Sequence, residues 1–394
     1  MKRKFSVIFI LLAFMLTIST LLGFTKPNVF AESINNIGIE FQSKSVYLID
    51  NDSKTVIYEK KSDSKKPIAS MCKIMTLLLC FENIDSGNIS LDDNICVSET
   101  ASGMGGSQIF LESGASYQVR ELVKGIVVAS ANDACVAMAE KICGSETAFV
   151  KKMNEKAKEL GMNNTNFVNC TGLPKAGQYS TAKDVSLMFS ELLSHKDYYL
   201  FSKIWMDEIR HPKDRVTEIT NTNKLIKFYE GCDGGKTGYT SEAGHCLCAS
   251  ASRNGLRFIA VVISAPDSKT RFKEASEMFN YGFANYDNKL LIDDKTPLEI
   301  PVEIKGGKQE SVSVFAEKAV FLFSKKGQER SVEIDFKANQ NIKAPVFKGD
   351  VLGKLTVYEN GVEIASVNAV ASETILRATY LDQIRNVIMK WNII

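Results

Sequence analysis

Apolar and polar positions alternate along Ser45–Asp50 and along Thr55–Lys60, with Asn51-Asp52-Ser53-Lys54 between them. Alternation with a period of two on both sides of a polar turn predicts a β-hairpin. The stretch from about Ala69 to Phe81 has almost no polar face, and a helix that is apolar all round is predicted to be buried. Val119–Val128 carries the period of an amphipathic helix, and a second helix is predicted from about Asp133 to Ile142, stopped by Gly144. Thr147–Leu160 reads as a third, solvent-facing helix, and residues 161–180 as a long polar loop that walls a cleft. Ser180-Thr181 is an N-cap for a helix over Ala182–Leu193. Late in this region a glycine-rich strand entry, Gly231–Thr240, precedes two strand-like runs, Gly244–Ser252 and Leu256–Ser264, and a helix over about Thr270–Phe283. Helices set between an early hairpin and three late strands predict an α/β (α+β) domain, an antiparallel sheet covered by helices.

The pattern then changes twice. Leu298–Thr374 has no helical period but a series of short alternating runs with a hairpin turn at Asn360-Gly361, which predicts a small all-β domain. In the last residues Leu376, Tyr380, Ile384, Val387, Ile388, Trp391 and Ile394 fall on one helical face, with Arg385 and Lys390 off it. Such a stripe predicts an amphipathic helix lying in a membrane surface; docking on the β domain is the other reading. At the opposite end Lys2, Arg3 and Lys4 precede the apolar run Phe5–Phe24, and Val29-Phe30-Ala31 fits a cleavage site. The expected layout is an export signal over 1–31, a first domain over 32–290, an all-β domain over 291–374 and the amphipathic helix over 375–394.

Charge narrows the function. The chain has 48 basic and 46 acidic residues, and the signal holds four of the basic ones and none of the acidic, leaving a net charge of −2. That balance argues against nucleic acid as a partner. All 9 cysteines lie after the signal, an odd number that cannot pair completely within one chain. No C-x-x-C spacing occurs, so no metal site and no cofactor are expected. Cys72, Cys80, Cys135 and Cys143 stand among apolar residues and read as small core side chains. His195 and His211 read as surface or loop residues from their polar neighbours.

The buried helix carries the chemistry. Ser70 and Lys73 are three residues apart, hence on one helical face, and a lysine held out of water has its pKa lowered and can serve as a base. A serine beside it is an activated nucleophile. Ser130-Ala131-Asn132 falls at a junction between two helices, where the hydroxyl can relay a proton and the amide can hold a substrate carbonyl. Lys236-Thr237-Gly238 offers a cation and a hydroxyl to a carboxylate, with Gly238 allowing close backbone approach. Each triplet alone also fits a plain turn or strand entry. The three together, in this order, are the signature of β-lactamases and penicillin-binding proteins.

On these motifs, on Pro67-x-Ala69-Ser70 and on Thr181-Ala182-x-Asp184, the chain resembles the low-molecular-weight penicillin-binding proteins, serine-type D-alanyl-D-alanine carboxypeptidases. The resemblance implies a β-lactamase/transpeptidase-like fold in the first domain. It implies that Ser70 attacks the penultimate D-Ala carbonyl of a peptidoglycan stem peptide, that D-Ala leaves, and that water clears the acyl-enzyme. Lys73 would be the base, Ser130 the proton relay and Asn132 a substrate-positioning residue. Lys236 and Thr237 would bind the terminal carboxylate, and the N–H groups of Ser70 and Tyr239 would form the oxyanion hole. β-Lactam antibiotics are implied as covalent inhibitors, and the outer face of the cytoplasmic membrane or the cell-wall space as the location. Two departures from the family pattern are Gln178 and Tyr239, where many relatives have histidine. Rival readings are a β-lactamase or D,D-endopeptidase of the same fold, and a catalytically silent wall-binding protein.

Overall fold

Strands β1 (Ser45–Asp50) and β2 (Val56–Lys60) form the expected hairpin in the structure, a computed structural model that describes residues 37–382 and 384–385. Two small antiparallel pairs follow, β3 (Asn94–Cys96) with β4 (Ser116–Gln118) and β5 (Met206–Arg210) with β6 (Val216–Thr220). Strands β7 (Cys232–Thr240), β8 (Gly244–Arg253) and β9 (Leu256–Ala265) then join the hairpin in one antiparallel sheet of order β2-β1-β9-β8-β7. The sheet is buried on both faces. In β9, Ile259, Val261 and Ile263 enter the core beneath the helices, while Phe258, Ala260 and Val262 enter a second core under the helix Ser268–Asn285. An apolar run in which every residue finds a core is what a central strand with two covered faces requires. The chain thus forms the antiparallel sheet covered by helices that the pattern predicts.

The helix expected over Ala69–Phe81 begins differently. Ala69–Cys72 is a 3₁₀ turn, and the α-helix runs from Lys73 to Asp85. The helices Val119–Ala129 and Asn132–Cys143 meet at Ser130-Ala131, with Gly144 in the left-handed conformation closing the second. Thr181 accepts from the Asp184 N–H and caps Ala182–Leu192. The strand carrying Lys236-Thr237-Gly238 starts earlier than expected, at Cys232, which puts the triplet in its second half.

Two histidines correct the sequence reading. His195 and His211 are both buried. The His195 Nδ1 lies 2.6 Å from the Asp85 carboxylate. His211 sits between the Tyr117 hydroxyl at 2.8 Å and Thr217 Oγ1 at 2.9 Å, and burial pushes its pKa down. Polar neighbours in sequence misled because the partners that let these rings be buried, Asp85 and Tyr117, lie 110 and 94 residues away. His211 fastens the β5–β6 hairpin, itself unexpected, against the segment ending at β4.

The second sheet has order β11 (Leu298–Glu303), β12 (Ser311–Ala316), β16 (Val362–Ala371), β15 (Val351–Glu359), β14 (Val332–Ala338), and β10 (Tyr286–Ile292) pairs with β13 (Val320–Lys325). Its core is a separate cluster that includes Val314, Leu355, Val357 and Ala369. Residues at the start of the expected terminal helix belong to this unit. Ile375 is buried and bridges Val346, and Arg377 bridges Gly307. Helical residues begin at Tyr380, where Thr379 and Asp382 cap each other. The export signal and the remainder of the amphipathic stripe lie outside the described residues. Among the described residues no helix is long and apolar enough to cross a membrane.

Candidate active site

The 3₁₀ turn and the helix behind it bring Ser70 and Lys73 together, with the Lys73 amine 3.0 Å from Ser70 Oγ. The same amine donates to the Thr171 carbonyl at 2.5 Å, and Lys73 is fully buried. Burial lowers its pKa from the usual 10.5. A buried ammonium needs partners for its hydrogens, and the two found here are neutral oxygens, so desolvation outweighs the weak opposing charge of Asp133.

The loop of residues 161–180 supplies that carbonyl. Asn169 Oδ1 accepts from the Gly172 N–H at 2.7 Å, and Asn169 Nδ2 donates to the Leu173 carbonyl. Gln178 holds Asn169 in turn: its Oε1 accepts from the N–H groups of Val168 and Asn169, and its Nε2 donates to Asn169 Oδ1. The side chain that departs from the family pattern thus braces the loop. Gly172 has φ of +81°, and a Cβ there would lie 2.0 Å from the Ala69 carbonyl oxygen. Only glycine lets this loop press on the turn bearing Ser70.

Ser130 ends one helix in the left-handed conformation (φ 64°, ψ 34°), an uncommon state for a residue with a side chain. Its hydroxyl is buried and has no hydrogen-bond partner among the described residues. Asn132 opens the next helix; its Nδ2 donates to the Gly105 carbonyl at 2.6 Å and its N–H to the Ser107 carbonyl at 2.7 Å. The Ser102–Ser107 loop therefore fixes the amide from one side. Leu173 approaches the same place, since a Cβ on Gly106 would meet Asn132 Nδ2 at 2.8 Å and Leu173 Cδ2 at 3.6 Å.

Strand β7 is an edge of the sheet and closes the group from the other side. A Cβ on Gly238 would lie 2.6 Å from the Ile68 carbonyl and 3.1 Å from the Ser70 nitrogen. The Lys236 side chain is buried, and its one hydrogen bond, at 3.3 Å, is to the Thr237 carbonyl. Its pKa is pushed well below 10.5, chiefly by burial and next by the positive charge of Lys73. Tyr239 is exposed, and its ring stacks on His245 across the ladder at 4.4 Å.

Several participants have no motif to announce them. Thr171, Asn169 and Gln178 act through loop geometry. Arg271, from the opposite face of the sheet, donates to the carbonyls of Gly238 at 3.0 Å and Cys246 at 3.2 Å and so steadies the middle of β7. Buried behind Lys73 are the thiols of Cys72, Cys135 and Cys170, all raised in pKa by burial. Cys143 is only partly buried, unlike Cys72, Cys80 and Cys135, and all 9 cysteines are free.

Residues 30–267 match the D-alanyl-D-alanine carboxypeptidase family, and residues 286–377 match the C-terminal domain of penicillin-binding protein 5. The chain is 41% identical to the D-alanyl-D-alanine carboxypeptidase DacF of Bacillus subtilis, over 93% of this chain and 94% of that one. It is 31% identical to DacA of Haemophilus influenzae, over 84% of each chain. Penicillin-binding protein 5 from Haemophilus influenzae superposes with a TM-score of 0.67 at 28% identity, covering 87% of this chain and all (100%) of that one. With the serine–lysine pair in the fold these relatives share, the chain belongs to the D-alanyl-D-alanine carboxypeptidase family, whose members are serine hydrolases.

Proposed function

We propose that the protein is an exported D-alanyl-D-alanine carboxypeptidase that removes the terminal D-Ala of peptidoglycan stem pentapeptides through an acyl-enzyme on Ser70. The observation that carries this reading is the fully buried Lys73 amine, 3.0 Å from Ser70 Oγ, whose hydrogen-bond partners among the described residues are neutral oxygens. Lowered pKa makes the neutral amine accessible, and the neutral amine takes the hydroxyl proton as Ser70 Oγ bonds to the carbonyl carbon. Ser130, whose hydroxyl is otherwise unspent, passes a proton to the departing D-Ala nitrogen. Asn132 holds the acyl-side carbonyl, while Lys236 and Thr237 receive the terminal carboxylate.

Strand geometry supports an oxyanion hole made of the Ser70 and Tyr239 N–H groups. Arg271 bridges the Gly238 and Cys246 carbonyls of the paired strands, an arrangement in keeping with a Tyr239 N–H turned to the open edge. Two N–H donors at that point stabilise the tetrahedral oxyanion, and loss of one raises the barrier by about 2.7–4 kcal/mol. A strained β-lactam presents the same carbonyl and carboxylate, so benzylpenicillin would acylate Ser70. The division at 32–290 and 291–374 remains our reading of the layout, with residues 375–378 joined to the β domain and the terminal helix starting at Tyr380 rather than 375. The cap at Thr379 and the exposed Leu376, Tyr380, Leu381 and Ile384 support a terminal helix that rests on the membrane surface.

The test is incubation with a pentapeptide ending in D-Ala-D-Ala and assay of free D-Ala, alongside mass mapping of a penicillin adduct. D-Ala release and an adduct on Ser70 are expected. A folded protein that gives neither is not this enzyme.

A further inference from the structure

Three consecutive carbonyls of the 161–180 loop face the helix that begins at Lys73, and each takes a hydrogen bond from a different side chain there. Cys72 Sγ donates to the Asn169 carbonyl at 3.3 Å, Thr76 Oγ1 to the Cys170 carbonyl at 2.7 Å, and the Lys73 amine to the Thr171 carbonyl at 2.5 Å. Residues 169–171 thus lie along the helix as a strap, and the last link of the strap is the amine.

The N–H side of the strap is tied mostly to the loop itself. The Asn169 N–H goes to Gln178 Oε1, and the Thr171 and Gly172 N–H groups go to Asn169 Oδ1. Cys170 is the exception. Its N–H donates at 3.0 Å to Glu146 Oε1, and its thiol donates to the same oxygen at 3.3 Å. Glu146 opens the helix Glu146–Glu159, which Ser145 caps through the Ala148 N–H. The acceptor therefore sits on a fixed element outside the loop. Among the described residues Glu146 has no hydrogen bond to any residue of the three motifs; its side chain bonds only to Cys170.

A neutral amine that donates one N–H to the Thr171 carbonyl keeps its lone pair for the Ser70 hydroxyl, whereas an amine without that anchor spreads the lone pair over other directions. We infer that Glu146 is a positioning residue for acylation: by holding Cys170 against its own helix, it keeps the Thr171 carbonyl where that carbonyl orients the Lys73 amine. The inference rests on Lys73 being the base, as proposed above. The ionisable groups acting on this amine include the thiols of Cys72, Cys135 and Cys170, Asp133 and Lys236. Glu146 reaches it by way of Cys170 and Thr171.

The test is the pH dependence of Ser70 acylation by benzylpenicillin, with the thermal midpoint, in three variants of the full chain. Glu146→Ala is expected to lower the limiting rate at high pH about tenfold. It also moves the midpoint of the profile to lower pH, because the ammonium loses a carbonyl acceptor that favours the charged form. Glu146→Gln keeps an acceptor oxygen for the Cys170 N–H and restores both the limiting rate and the midpoint. Thr76→Val releases the Cys170 carbonyl at nearly the same side-chain shape, and repeats the Glu146→Ala pattern at about threefold. A lower thermal midpoint with the limiting rate and the pH midpoint unmoved makes Glu146 purely structural and overturns the inference. So does Glu146→Gln behaving like Glu146→Ala, which would place the effect in the charge. If Glu146→Ala does not fold, Thr76→Val decides, an unmoved profile being the overturning result. A wild-type profile with no rise is a different failure: it removes Lys73 as the base before any variant is made, and the role of Glu146 falls with it.

Discussion

Arg330, just before β14 of the second sheet, and Lys73 in the first domain are both cations at least partly withdrawn from water, and they are treated in opposite ways. Arg330 donates to both oxygens of Glu359 at 2.6 Å and to the Phe323 carbonyl at 2.6 Å. Lys73 is buried more deeply, beside a hydroxyl, a carbonyl and a second ammonium. Among the described residues, the buried side-chain atoms without a partner are Ser130 Oγ, His195 Nε2, His245 Nδ1 and Arg271 Nε, all in the first domain. Arg330 and Glu359 are fully paired, whereas at the candidate site Ser130 leaves hydrogen-bonding capacity open at a cost in stability.

The contrast can be broken at several points. Ser70→Ala is expected to have the largest effect, abolishing both D-Ala release and the penicillin adduct, a loss of about 10³-fold or more, with the thermal midpoint intact. Retained activity identifies another nucleophile. Lys73→Met is expected to slow penicillin acylation by about 10²–10⁴-fold without lowering the thermal midpoint, because an apolar chain replaces an uncompensated buried charge. A drop in the midpoint means Lys73 holds the fold together after all.

The pH profile sharpens the same point. Burial lowers the Lys73 pKa, so the neutral amine forms below 10.5. The acylation rate should climb with pH through that lowered value and level off before 10.5 is reached. Over this interval the unfolded chain binds the extra proton, so Lys73 also adds stability as pH rises. A rate that is flat up to 10.5 contradicts the role of base.

Arg330→Met should do the reverse of Lys73→Met. It strands the Glu359 carboxylate and destabilises the fold by about 1–2 kcal/mol, read from denaturant unfolding, while penicillin acylation is unchanged. The smallest effect belongs to Glu359→Gln. Arg330 holds the Glu359 carboxyl below its usual 4.5, so the pair's contribution is complete above 4.5 and fades as pH falls through the lowered value. The difference in thermal midpoint between wild type and Glu359→Gln should therefore shrink on acidification; a constant difference refutes the pairing.

Much of this contrast is legible in the chain itself. Period-two and helical patterns locate the first hairpin, the late strands, most long helices and the β runs after Leu298, because each has a face committed to a core. The spacing of Ser70 and Lys73 survives even though a 3₁₀ turn replaces the first α-helical turn, since three residues bring side chains to one face in either geometry. The site roles themselves await the experiments above. The β5–β6 hairpin is invisible in the pattern. Met206, Asp207, Glu208, Val216 and Thr217 show no clean alternation, and the hairpin is fixed by His211 reaching Tyr117, 94 residues away in sequence. Thr171 and Asn169 escape notice for a related reason, because a carbonyl has no letter in a sequence, and Gln178 stands out only as a departure from the family pattern, not for what it holds. The turn at Gly172 is the one hint, and only the structure shows what it presses against.

The rim position of β7 has one more implication. A bare rim that offers amide and carbonyl groups measures chain direction and handedness but cannot tell one amino acid from another. Any further discrimination has to come from surfaces that flank the rim. In this molecule those surfaces are turns, which accept new residues with little disturbance to the layers beneath. Preference for one wall chemistry over another can thus drift between relatives while the reacting atoms stay where they are.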